Sequence, residues 1–76
     1  MQYIFEFMVD YSNKEKRTRF ENDLKKIEPN IYKIDWIDRF KVFIKSATEL
    51  DFNKIHKGLD EERQYDIAYP FIGYKI

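Results

Sequence analysis

The alternation of side chains in residues 2–9, QYIFEFMV, constrains the fold more than any other feature of the sequence. The segment is rich in aromatic and β-branched residues, which favour extended structure. Successive side chains of a strand point to opposite faces, so alternate residues share a face. One set of alternate residues is wholly apolar and is predicted to face a core: Tyr3, Phe5, Phe7 and Val9.

A helix is predicted to follow, from about residue 13 to residue 27. Ser12 is a good N-cap, and Glu15 three residues later completes the pattern of a capping box. Pro29 ends the segment, because proline does not continue a helix. The apolar stripe at the helical period consists of Phe20, Leu24 and Ile27.

Two further strand-like runs, IYKIDWI at 31–37 and RFKVFIK at 39–45, are predicted to form a hairpin. The turn between them falls around Asp38 and Arg39, although no Asn-Gly signal fixes its type. In the second run the residues predicted to face the core are Phe40, Val42 and Ile44.

A second helix is predicted after residue 48. Thr48 followed by Asp51 gives a weaker capping signal, and Gly58 is predicted to stop the helix as a left-handed C-terminal residue. The apolar stripe of this helix consists of Phe52, Ile55 and Leu59.

The remaining residues predict a loop at 60–64 and a fourth strand, YDIAY, at 65–69. Pro70 interrupts this strand, and an apolar segment, FIGYKI, follows as an extra C-terminal strand. The predicted order is β-α-β-β-α-β in one domain, residues 1–76. We therefore expect an α+β, ferredoxin-like fold: a four-stranded antiparallel sheet with two helices on one face.

Composition limits the classes of function. The 76 residues include no cysteine, which excludes disulfides and zinc thiolate sites and fits a reducing, cytoplasmic location. Lysine plus arginine equals aspartate plus glutamate at 14 each, whereas proteins that depend on phosphate contacts usually carry a basic excess. No apolar stretch of 18 residues and no signal-peptide pattern is present, so we expect no membrane association.

Few residues are candidates for catalysis. His56 is the one histidine, and it is predicted to be solvated near the C-terminus of the second helix. Asp10 ends the first strand, where it is either a turn residue or a ligand of Mg²⁺. One carboxylate makes a poor metal site, whereas two copies meeting across a symmetric dimer would make a better one.

A basic run lies at the start of the first helix. It is either a solvated helix face balanced by nearby acidic residues or a phosphate-contacting, nucleic-acid-binding surface. Its members are Lys14, Lys16, Arg17 and Arg19.

The face of the sheet away from the helices is predicted to carry an apolar centre with charged surroundings, a mixture that suits a protein contact. The C-terminal segment either pairs with another chain or packs on its own domain. The residues predicted to form the protein interface are Ile4, Met8, Phe43, Phe71, Ile72, Tyr74 and Ile76.

The segments FMVDYSNKEKR and DIAYPF resemble the Cas2 family of CRISPR-associated proteins, which are small ferredoxin-like dimers related to VapD-type proteins. The resemblance implies a homodimer whose terminal strand crosses to its partner. It also implies that Asp10 matches an aspartate that some members use in metal-dependent phosphodiester cleavage. Lys45 stands where the family pattern suggests an acidic residue.

Two functional hypotheses follow. The first is a small non-catalytic interaction module without a cofactor, homodimeric and binding a larger protein or complex. It would act as an inhibitor or adaptor, and the resemblance suggests a bacterial or phage defence context. The alternative is a Cas2-like, Mg²⁺-dependent endoribonuclease or endodeoxyribonuclease using Asp10, or a non-catalytic nucleic-acid scaffold.

Overall fold

The computed structural model describes residues 1–62 and 70–76, and its elements follow the predicted order. The four strands form one sheet in the order β2-β3-β1-β4, with antiparallel neighbours throughout. This arrangement confirms the ferredoxin-like α+β fold. The bounds are β1 (Gln2–Phe7), α1 (Lys14–Ile27), β2 (Ile31–Asp38), β3 (Lys41–Ser46), α2 (Phe52–Glu62) and β4 (Phe71–Lys75).

The C-terminal segment is the fourth strand of its own sheet. It pairs with β1, placing Phe71 opposite Phe7 and Lys75 opposite Tyr3. The fourth strand predicted at 65–69 lies outside the described residues. In the described part of the chain, the tail therefore packs on its own domain.

The core lies between one face of the sheet and the two helices. The predicted alternation of β1 is confirmed, because Tyr3, Phe5 and Phe7 are buried and Val9 packs against the same cluster. The other buried residues from the predicted stripes are Phe20, Leu24, Val42, Ile44, Ile55 and Leu59.

Aromatic rings fill the centre of this core. The Phe7 ring lies 4.5 Å from the Tyr11 ring, 5.0 Å from the Phe20 ring and 5.5 Å from the Trp36 ring, between centroids. Large aromatic side chains give a short chain a large buried apolar area per residue. This cluster explains how a domain of this size can hold a core without disulfides.

The prediction that Phe40 faces the core is wrong. Phe40 is 40% exposed because it lies in the turn between β2 and β3, before the alternation of β3 begins at Lys41. Its backbone N–H donates to Oδ1 of Asp38 at 2.7 Å. An aspartate side chain that bonds two residues ahead in this way stabilises a turn.

Helix α1 is capped by Asn13, so the prediction of Ser12 as N-cap is wrong. Oδ1 of Asn13 accepts hydrogen bonds from the backbone N–H groups of Glu15 at 2.8 Å and Lys16 at 3.3 Å. The backbone N–H of Ser12 donates instead to Asp10. Serine and asparagine are comparable caps, and the local turn decides between them.

Helix α2 is capped by Asp51, not by Thr48. Oδ1 of Asp51 accepts from the backbone N–H groups of Asn53 at 3.0 Å and Lys54 at 3.2 Å. A carboxylate at this position both satisfies free N–H groups and lies favourably at the positive end of the helix.

The prediction that Gly58 stops α2 is also wrong, because the helix continues to Glu62. A Cβ at Gly58 would lie 2.7 Å from Cγ1 of Ile27, so glycine permits α2 to approach α1 closely. His56 is therefore not near the end of the helix. Its ring is half-buried and stacks on Phe71 at 4.3 Å between centroids, so the prediction of a solvated histidine is wrong.

Candidate functional site

The outer face of the sheet, opposite the helices, carries the side chains that alternate with the core residues. No element within residues 1–62 or 70–76 covers this face. Its central row crosses all four strands in register, from Tyr74 through Ile4 and Phe43 to Asp35. A second row, one step along the strands, runs from Ile72 through Glu6 to Lys41. We call this surface the outer face.

Apolar side chains dominate the β4 side of the outer face. Ile72 is 63% exposed and Tyr74 is 41% exposed, whereas Ile4 and Phe43 are half-buried. Cross-strand neighbours of this kind are close enough to touch, so the four residues form a continuous apolar strip. Two further predicted interface residues, Met8 and Ile76, are also exposed.

Phe71 was predicted at the interface, but the structure buries it. It is 6% exposed, and its ring stacks on Phe5 at 4.4 Å between centroids. Alternate residues of a strand face opposite sides, so Phe71 belongs to the core while Ile72 and Tyr74 belong to the outer face. Phe71 is therefore not available to a partner.

Charged residues surround the apolar strip. Oε1 of Glu6 accepts a hydrogen bond from the Tyr74 hydroxyl at 2.9 Å and lies 3.9 Å from Nζ of Lys41. Nζ of Lys33 lies 3.3 Å from Oδ2 of Asp35. The hydrogen bond to Glu6 raises the pKa of Tyr74, because it favours the protonated phenol.

Asp10 lies in the loop after β1 and has a structural task there. Its Oδ1 accepts from the backbone N–H of Ser12 at 2.8 Å, and its Oδ2 lies 3.5 Å from Nη1 of Arg39. The Ser12 hydrogen bond is the main reason that the pKa of Asp10 is lowered. The backbone N–H of Tyr11 donates to the carbonyl of Arg39 at 2.8 Å, so this loop is fastened to the β2–β3 turn.

These contacts do not form a magnesium site within one chain. One Asp10 oxygen takes a backbone N–H, and the other faces a guanidinium, which would repel a cation. Within the described ranges, no group of three or more histidine, cysteine, aspartate or glutamate residues is arranged to hold a metal ion. Mg²⁺ typically needs one or two carboxylates that are free to bind it.

The structure does not bring the four predicted phosphate-contacting residues onto one surface. Lys14 and Arg19 line one surface depression on α1, whereas Nζ of Lys16 lies 6.0 Å from the Tyr11 ring centroid. Arg17 is also committed within the chain: its Nε donates to the carbonyl of Tyr11, and its guanidinium lies 4.9 Å from the Trp36 ring centroid.

Sequence reasoning missed the direct pairing of Glu6 with Lys41 on the outer face. The alternation in β1 and β3 indicates that both side chains point outward. Their opposition follows from the register of the two strands, which pairs Glu6 with Lys41 and Ile4 with Phe43. No local sequence signal fixes that register.

No family model, curated protein or solved structure matches this chain. The resemblance to the Cas2 family therefore stays a prediction. In the part of the chain that the structure describes, no helix is long and apolar enough to cross a membrane.

Proposed function

We propose that this chain is a small, non-catalytic interaction module that binds protein partners through the outer face. The observation that carries the proposal is the apolar strip, which no described element covers. Its residues are Ile4, Phe43, Ile72 and Tyr74. An exposed apolar patch with a polar surround is characteristic of a protein contact.

The strip is well suited to binding because it is built on paired strands. Backbone hydrogen bonds to β3 and β4 fix the position of β1 on both sides, so Ile4 and Glu6 are held before any partner arrives. A preformed surface loses less conformational entropy on association. The apolar strip supplies the contact area, and Glu6 and Lys41 orient the partner through their charges.

In this proposal the chain self-associates and also engages a larger protein, as an inhibitor or adaptor. The resemblance to the Cas2 family suggests a bacterial or phage defence setting for such a role. A cytoplasmic location fits the cysteine-free composition.

The test compares two variants that each introduce one acidic side chain. Ile72→Glu places a charge in the apolar strip, and Asn22→Glu places one on the exposed surface of α1, in the opposite layer. Association is measured by light scattering after size exclusion and by capture on immobilised protein from a source lysate, with circular dichroism to verify folding. We expect Ile72→Glu to lose both kinds of association and Asn22→Glu to keep them. Equal retention by both variants would overturn the proposal.

A second proposal, Cas2-like cleavage or binding of nucleic acid, comes from the resemblance. Its support in the geometry is the exposure of Asp10 in the loop after β1, beside Arg39 and near Lys16, where cationic side chains could contact a phosphate. We rank it second because both oxygens of Asp10 already have partners within the chain.

A further inference from the structure

We infer that a second copy of this chain covers the outer face. A twofold axis relates the two copies. This axis lies in the plane of the interface and runs parallel to the strands, midway between β1 and β3. The inference rests on the proposed function and names the partner and its orientation. It is carried by the placement of opposite charges on the two central strands. A twofold interface requires a surface that complements itself, because each copy presents the same patch.

The two central strands carry residues that complement each other. Glu6 on β1 lies directly opposite Lys41 on β3, and Ile4 lies directly opposite Phe43. An axis between these strands places β1 of one copy over β3 of the other. Glu6 then faces the second copy's Lys41, and Ile4 faces the second copy's Phe43. Both contacts occur twice, once on each side of the axis.

Three other aligned arrangements place like charges together. An axis that is perpendicular to the strands and follows the central row places Lys45 over the second copy's Lys41. It also places Asp35 over the second copy's Asp35. An axis that runs along β1 places Glu6 over Glu6, and one along β3 places Lys41 over Lys41. Facing like charges are unfavourable, so the charges disfavour these three axes, whereas the axis between β1 and β3 brings Glu6 over the second copy's Lys41.

Glu6 and Lys41 remain able to bind across such an interface. Their contact within the chain is long, at 3.9 Å, and their side chains are 43% and 48% exposed. A carboxylate can accept several hydrogen bonds, so Glu6 can retain the Tyr74 hydroxyl and still meet an ammonium group from above. The Tyr74 bond holds Glu6 in position for that contact.

The size of the outer face sets the expected strength of association. Four strands spaced about 4.8 Å apart, and six residues of about 3.4 Å each, give a face of roughly 19 by 20 Å. Two such faces bury roughly 800 Å² in total, which is below the range of stable protein interfaces and corresponds to a weak, transient one. We therefore expect a dimer whose population depends on concentration.

The deciding experiment mixes two charge-reversed variants, Glu6→Lys and Lys41→Glu. Each variant alone should be monomeric at concentrations where the unmodified chain is dimeric, because its facing residues carry like charges. An equimolar mixture should restore the dimer, since both facing pairs are then opposite in charge. The pair within each chain stays like-charged in the mixture, so recovery can come only from contact between copies. Sedimentation velocity provides the measurement.

The control uses an ion pair on the helix layer. Nζ of Lys26 lies 3.0 Å from Oε1 of Glu62, away from the sheet. Lys26→Glu, Glu62→Lys and their mixture should all dimerise like the unmodified chain. A loss of association in these variants would show that general charge effects, and not the outer face, govern the dimer.

A cross-linking measurement keeps the inference testable if a charge reversal unfolds the chain. The chain contains no cysteine, so Ile4→Cys and Phe43→Cys each introduce a single thiol. Under mild oxidation the mixture should form mainly the mixed disulfide, because Ile4 faces the second copy's Phe43. Predominance of either self-linked dimer would overturn the proposed axis.

The outcomes separate this inference from the proposed function. An unmodified chain that remains monomeric at all concentrations overturns the second copy as partner, while capture that depends on Ile72 still supports the outer face as a binding surface. In a third outcome, Ile72→Glu disrupts the dimer, but the mixture of Glu6→Lys and Lys41→Glu does not form one. The outer face is then still the interface, and the proposed axis is wrong.

Discussion

The side chains of Tyr74 and Glu6 join the last strand to the first on the outer face, where the Tyr74 hydroxyl donates to Oε1 of Glu6 at 2.9 Å. The contact is diagonal across the strand pair, because Tyr74 lies opposite Ile4 and Glu6 lies opposite Ile72. Diagonal neighbours are within reach of a long aromatic side chain. This hydrogen bond therefore holds the side chains of Tyr74 and Glu6, both in the proposed interface, in a fixed position relative to each other.

The first prediction concerns the pKa of Tyr74, which should lie above the usual value of 10.0. The hydrogen bond and the nearby charge of Glu6 favour the protonated phenol, so Glu6→Gln should lower this pKa toward its usual value. An NMR titration of the Tyr74 ring measures it. Glu15→Gln, which removes a carboxylate on α1, should leave it unchanged.

The raised pKa of Tyr74 determines whether the stability of the fold rises or falls with pH. A phenol whose pKa is higher in the folded chain stabilises the fold below its unfolded pKa, and this contribution disappears as pH rises through the folded value. The stability difference between the unmodified chain and Glu6→Gln should therefore shrink at strongly alkaline pH. A constant difference across that range would contradict the hydrogen bond as its cause.

The second prediction distinguishes the two candidate caps of α1. Asn13→Ala should lower the free energy of unfolding by about 1 kcal/mol, because Asn13 satisfies two free N–H groups at the helix start. Ser12→Ala should cost less, since the backbone N–H of Ser12 makes the main bond to Asp10 and the substitution keeps it, although the Ser12 side chain also bonds to Asp10. Urea unfolding of both variants measures the difference. Equal losses would restore Ser12 as the cap.

The sequence correctly predicted structure where a single local pattern determines it. The alternation of β1 and the helical stripes predicted the buried residues, because a strand or helix with one apolar face has one way to bury it. The cap of α1 was missed because Ser12 and Asn13 are equally good caps, and a bond from Ser12 to Asp10 decides between them. The length of α2 was missed because Gly58 serves helix packing, which depends on Ile27 in a distant segment. The pairing of Glu6 with Lys41 depends on strand register, which is also a long-range property.

The third prediction concerns Gly73 in β4. A Cβ at this position would overlap Cε1 of Phe52, so a side chain there must displace the ring. The Phe52 ring cannot move freely, because it packs edge-on against Tyr3 and Phe5 at 5.8 Å and 5.7 Å between centroids. Gly73→Ala should therefore cost about 1–3 kcal/mol, as overpacking of a core typically does. Denaturant unfolding measures the loss.

Two controls examine the cause of that loss. In a Phe52→Ala background, Gly73→Ala should cost less, because the ring that it displaces is gone. Gly58→Ala should cost less than Gly73→Ala in the unmodified chain. The Cβ added at Gly58 would also lie close to Ile27. However, alanine stabilises the interior of a helix by about 1 kcal/mol relative to glycine, which offsets part of this cost. An equal cost of Gly73→Ala with and without Phe52 would contradict the steric explanation.

The fourth prediction separates the structural and catalytic interpretations of Asp10. Asparagine keeps an oxygen that can accept the Ser12 N–H, whereas alanine does not. If Asp10 has only a structural task, Asp10→Asn should unfold close to the temperature of the unmodified chain, and Asp10→Ala should unfold at a lower temperature. Calorimetry at neutral pH measures both.

The pH dependence of this difference has a definite sign. The pKa of Asp10 is lowered in the folded chain, so its carboxylate stabilises the fold above the unfolded pKa, and the contribution disappears as pH falls through the folded value. The gap between the unmodified chain and Asp10→Ala should therefore narrow in strong acid.

Cleavage assays complete the separation, because a metal ligand has different requirements from a turn residue. Asparagine lacks the negative charge that holds Mg²⁺, so a Cas2-like nuclease should lose Mg²⁺-dependent cleavage in Asp10→Asn as fully as in Asp10→Ala. An interaction module should show no cleavage in the unmodified chain, and Asp10→Asn should keep its stability and dimerisation. Cleavage by the unmodified chain that Asp10→Asn abolishes without loss of stability would establish catalysis at Asp10 and reject the non-catalytic proposal.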